Sequence, residues 1–139
     1  MNYYIFALIT AFLFGIAPIF GKVGLEGINP AIALGIRSLI ITSIMLVWLI
    51  FNNDIGSLAT VELKSWGLIA LEGVCAALLG QLFYYYALKS GEASIVVPLI
   101  ATFPLITFII AIIFLGDKFS FIKAGGIIFV VLGVVLLRI

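Results

Sequence analysis

Two ionisable residues fall well inside apolar stretches of the sequence, Arg37 and Glu72. A charge held near the centre of a bilayer costs about 2.5 to 3.5 kcal/mol on insertion scales, so each needs a counter-charge, a hydrogen-bonding partner or a water-filled cavity. Arg37 suits a carboxylate, because a guanidinium stays charged and presents a planar fork of donors that matches two oxygens. Glu72 is the second candidate, as a cation site or a proton carrier. Simpler readings stand beside both: Arg37 snorkels to the interface, and Glu72 is protonated and hydrogen-bonded between helices. Gln81 follows Glu72 by nine positions, about 180° around an α-helix, and is expected on a different face.

Pro18 and Pro104 also lie in apolar stretches. A proline inside a helix removes one donor and frees the carbonyl four residues earlier, here Phe14 and Ile100. Such carbonyls could line a polar cavity together with the hydroxyl of Thr102, and with Thr10, Ser38, Thr42, Ser43 and Thr107, although hydroxyls in membrane helices also bond their own backbone. The prolines are candidate kinks or hinges, with plain helix bending as the simpler outcome.

Other chemistry is excluded by composition. Histidine is absent and Cys75 is the only cysteine, which removes His/Cys metal sites, Cys/His nucleophile pairs and intrachain disulfides. No nucleophile, base and orienting group occur together, so neither a catalytic centre nor a cofactor is expected. The net charge of +1 comes without any basic run, so nothing provides the footprint that a nucleic-acid backbone requires.

The elements that must hold these residues are membrane helices. Of 139 residues 65% are hydrophobic and 9% charged, whereas a soluble domain carries about 25% charged residues. Five stretches, residues 3–21, 30–51, 66–88, 94–115 and 121–138, are each long enough to cross a hydrocarbon core, which takes about 20 helical residues. The first lacks a basic leader and is too long for a cleaved signal peptide, so it reads as a membrane helix. Short polar connectors make consecutive helices antiparallel neighbours. Tyr3, Tyr4, Trp48, Trp66 and the run Phe83 to Tyr86 lie toward stretch ends, where aromatic rings anchor helices at the headgroups. The fold class is an all-α integral membrane protein, a bundle of five transmembrane helices forming a single domain over residues 1–139. Small residues let helices approach closely: Gly73 with Ala77, Ala76 with Gly80, and Gly125 or Gly126 with Gly133, the last set serving either internal packing or a dimer seam.

Positive charges normally choose the orientation, and here they balance. Lys64, Lys118 and Lys123 fall on the side of the N-terminus, and Lys22, Lys89 and Arg138 on the other. Such a tie suits a chain that inserts both ways and pairs with an inverted copy, unless one local determinant overrides the count. In an inverted pair Arg37 of one copy would share its depth with Glu72 of the other, which makes an inter-protomer charge pair or shared cavity a further expectation.

The order of several segments resembles the drug/metabolite transporter superfamily, specifically a single EamA-type domain, over essentially the whole chain. They are Phe12-Leu-Phe-Gly-Ile-Ala-Pro-Ile-Phe-Gly-Lys22, the Asn29-Pro30 helix start followed by Arg37, Tyr84-Tyr-Tyr-Ala-Leu-Lys-Ser-Gly-Glu-Ala-Ser94, Pro104, Leu115-Gly-Asp-Lys118 and Leu132-Gly-Val-Val-Leu-Leu137. Phe103 stands where that family often has an acidic residue, and Asp117 where Glu is usual. Most members look like two such domains fused in inverted orientation, so this chain is similar to the short five-helix members. The resemblance implies one half of an inverted-repeat transporter in the cell membrane, with the lipid bilayer, a small-molecule metabolite or drug-like substrate and a second copy as partners. The competing expectation is a non-transporting scaffold, an accessory subunit or a component that flips a lipid-linked molecule.

Overall fold

Asn29 and Pro30 show how the chain starts its helices. The Asn29 side chain accepts a hydrogen bond from the Ala31 N–H at 2.8 Å, while Pro30 occupies the first turn, where an N–H would have no partner within the helix. In the computed structural model, which describes residues 2–137, this opens α2 (Pro30–Phe51). Asn2 caps α1 (Tyr3–Gly24) in the same way through the Tyr4 N–H. Pro18 sits inside α1, and it is that helix's buried residue.

Beyond α2 the chain turns at Asn53, whose φ is 57°, and passes through a 3-10 helix, Ile55–Thr60. The third long helix, Leu63–Ser90, is composite. It begins as α3 (Leu63–Glu72), widens into a π-helical segment (Gly73–Gly80) and resumes as α4 (Gln81–Ser90). The fourth, Ala93–Leu115, is interrupted. It runs as α5 (Ala93–Ile100), turns at Ala101 and Thr102, continues as α6 (Phe103–Ile110) and ends in a π-helical turn (Ala111–Leu115). Gly116 closes it in the left-handed region at φ 69°, where a glycine carries no Cβ penalty. The last helix is α7 (Phe121–Leu136). No strand occurs among the described residues.

Four of these helices are long and apolar enough to cross a membrane. α7 has the apolar character but only 16 residues, which gives about 24 Å of rise; Arg138, where the expected fifth stretch ends, lies outside the described residues. The expected limits shift elsewhere too. The first helix runs on from Gly21 to Gly24, and the third starts at Leu63 rather than Trp66 and ends at Ser90 rather than Leu88. Polar Lys22, Lys64 and Lys89 are thus held in helical ends, because long side chains carry their charge out to the interface from a helical backbone. At most 11% of the residues in any spanning window is buried within the chain. Their lateral surfaces therefore need lipid, or a second protein, to cover them.

The chain divides into two units, residues 1–90 and 91–139. In the first, α4 packs on α1 and α2. A Cβ on Gly21 would stand 3.3 Å from Leu88 Cδ2, so the missing side chain is what lets α1 come close to α4. Leu88 is 0% exposed, Leu25 2% and Leu34 5%, and all three belong to the end of this unit where α1 finishes, α2 begins and α4 finishes. In the second unit α6 packs on α7. Phe119 there sits 6.0 Å from the Phe108 ring and 5.0 Å from Phe121, edge to face with the latter.

Candidate functional site

The well-packed end of the first unit is tied by two lysines running in opposite directions. Lys22 Nζ donates to the Leu88 carbonyl at 2.6 Å and to that of Lys89 at 3.3 Å. Lys89 Nζ donates to the carbonyl of Ile28 at 2.8 Å, in the α1–α2 connector. Carbonyls at the end of a helix lack intrahelical partners and carry the negative end of its dipole, so an ammonium is well matched to them. A cavity of about 170 Å³ opens beside this lysine pair, lined by Lys22, Leu25, Glu26, Gly27 and Lys89. Gly27, at φ 71°, supplies the left-handed turn of the connector.

Arg37 lies seven residues into α2, about 10 Å from the same end at 1.5 Å per residue. Arg37 is exposed on the unit's surface, on a helix that packs against α4. Tyr84 is six residues before Ser90, hence about 9 Å from that end, and the two residues share a depth. Gln81, Tyr84 and Leu88 fall on one side of α4, spaced by three and four residues, and none of them is exposed. Of the aromatic run read as headgroup anchors, Phe83 and Tyr86 do face outward, but Tyr84 and Tyr85 are half-buried on the side that meets the neighbouring helices. Depth along the sequence could not reveal this, since it depends on the helical phase of α4.

Glu72 is exposed and sits at the last position of α3, immediately before the π-helical segment. Among the described residues, neither its side chain nor that of Arg37 forms a hydrogen bond or ion pair, so the first unit does not bring them together. With the helix starting at Leu63, Glu72 is nine residues in, about 13 Å from its own end, deeper than the shared depth expected with Arg37 of an inverted copy. The half-turn separation between Glu72 and Gln81 was counted on an uninterrupted α-helix, which the chain does not form there. A turn closed from i to i+5 advances each residue by less than the usual angle of about 100°. Eight residues of this kind, Gly73–Gly80, lie between Glu72 and Gln81.

In the second unit Pro104 does not interrupt a continuous helix as the sequence suggested. It stands in the first turn of α6, a position that needs no N–H, and the break falls just before it. Pro98, inside α5, is a second proline of this span that the reading of cavity-forming carbonyls passed over, although its spacing of six from Pro104 was visible. The Thr102 hydroxyl donates to the carbonyl of Leu99, three residues earlier, at 2.8 Å, and those of Thr10, Ser43 and Thr107 donate to the carbonyl four residues earlier. These hydroxyls satisfy local backbone, the simpler of the two roles open to them. Beside Gly125, Gly126 and Gly133 an added Cβ would meet nothing within 4 Å.

An all-helical chain whose long helices are apolar and bury almost nothing in one another is a multi-pass membrane protein. It belongs to the EamA-like transporter family, which it matches over residues 1–139. An uncharacterized protein of Methanocaldococcus jannaschii is 32% identical over 138 residues, covering 97% of this chain and 95% of the relative. An uncharacterized transporter in the cobO 3′ region of Sinorhizobium sp is 28% identical over 133 residues, covering 96% and 94%. No solved structure matches the chain significantly.

Proposed function

We propose that the chain is a transporter of small polar or amphipathic metabolites in the cell membrane, working as an antiparallel homodimer by alternating access. The family match over residues 1–139 carries the reading, and the relative from Sinorhizobium bears the word transporter. The balanced lysine and arginine count supports insertion in both orientations, and inverted repeats place their substrate near the midplane, between the two halves. Exposed Arg37 and Glu72 then face a shared cavity: Arg37 meets a substrate carboxylate, and Glu72 takes a proton or cation. Pro18 and the break before Pro104 are the candidate hinges, with Thr102 at that break, and Gly125, Gly126 and Gly133 form the seam between copies.

Purified chain reconstituted alone into liposomes should give counterflow of a labelled substrate from an amino-acid and drug panel, and the flux should fall on Arg37→Gln. Flux that appears only when a co-purifying partner is added would replace the homodimer with an accessory-subunit role.

A further inference from the structure

We infer that Arg37, Tyr84 and Gln81 form one water-accessible subsite for the anionic group of a small organic anion, entered past Lys22 and Lys89. This rests on the transporter reading and adds two binding residues to it. Arg37 and Tyr84 come from different helices, α2 and α4, which pack together, and they lie at one depth, about 10 Å from the lysine-tied end. Gln81 is one turn further in on the same side of α4, so the guanidinium and the phenol lie at one level and the amide at the next level inward.

The electrostatics favour an anion. Lys22, Lys89 and Arg37 are three cations at this end of the unit, against the single carboxylate of Glu26 in the cavity lining. Two of those cations are held on backbone carbonyls, so their positions are set by the fold. Arg37 has no carboxylate in an ion pair among the described residues. A guanidinium left exposed in a membrane helix needs water or an anion. The phenol and the amide offer neutral donors that orient an anion without adding charge.

Charge-selective thiol labelling tests this without any knowledge of the transported substrate. Tyr84→Cys and Gln81→Cys are made separately on a Cys75→Ala background, with Ser90→Cys as the reference at the helix end. Membranes opened by freeze–thaw are treated with an anionic sulfonate methanethiosulfonate or its cationic trimethylammonium counterpart, each rate being divided by that reagent's rate with free cysteine. At position 84 the anionic reagent should be favoured about tenfold over the cationic one, as a nearby fixed charge in a cleft produces, and Arg37→Gln should remove most of the preference, leaving only the smaller part due to Lys22 and Lys89. If Ser90→Cys labels while positions 84 and 81 stay inert to both reagents, if they show no charge preference, or if the preference is undiminished in Arg37→Gln, the subsite does not exist. The Gln81→Cys variant decides the matter if Tyr84→Cys does not fold. Liposome flux can fail while this labelling pattern holds, so failure of the subsite and failure of the transport reading are told apart.

Discussion

Arg37 and Glu72 are the two charges that a membrane helix holds only at a cost, and the fold leaves both exposed and apart within one chain. If inverted copies bring them together, each supports the other. Arg37→Gln and Glu72→Gln should then each lower liposome flux about tenfold, equivalent to ~1.4 kcal/mol, with the double variant no worse than the poorer single one. Losses that multiply would show that the two act independently. The lysines make a separate prediction. Lys22 Nζ holds carbonyls at the end of α4, and hydrogen bonds from a charged group contribute about 1.5 to 3 kcal/mol. Lys22→Met keeps most of the stem but loses those bonds, and unfolding in mixed micelles should show a loss at the low end of that range because the site is part-exposed. An unchanged midpoint would mean that water replaces the ammonium at no cost.

At the scale of elements, the composite third helix is the feature with most leverage on the site. Its π-helical segment ends at Gly80, and a Cβ there would lie 3.0 Å from the backbone carbonyl oxygen of Cys75. Backbone cannot swing aside as a side-chain tip can, so Gly80→Ala strains the wide turn that sets the phase of Gln81, Tyr84 and Leu88. Overpacking of this kind costs about 1 to 3 kcal/mol. The variant should unfold earlier in detergent by that amount and lose the charge preference of labelling at position 84, since α4 would rotate. Wild-type behaviour in both measurements would show that the wide turn is not needed. Gly80 was visible as half of a small-residue pair with Ala76, but its duty to Cys75 was not, because it depends on a turn closed from i to i+5.

For the whole molecule, the balanced charges make orientation the decisive measurement. A single cysteine at either end on a Cys75→Ala background, labelled in intact cells with a membrane-impermeant reagent, should react in about half the molecules at each end under the equal count of flanking lysines and arginines. Complete labelling of one end and none of the other would mean one orientation, and a different chain as the inverted partner. Hydropathy and charge in the sequence were enough to determine membrane helices, their approximate limits and the two ionisable residues within them, because those properties follow from local composition and from the thickness of lipid, while the family resemblance rested on the order of a few short segments. They also showed Arg37 and Tyr84, but as unrelated residues 47 positions apart. That the two share a depth, that Lys22 and Lys89 cross-tie one end, and that a π-helical segment separates Glu72 from Gln81 were decided only by the folded structure. Each depends on which helices pack together and on how many residues close a turn, and neither quantity is carried by any single segment of the chain.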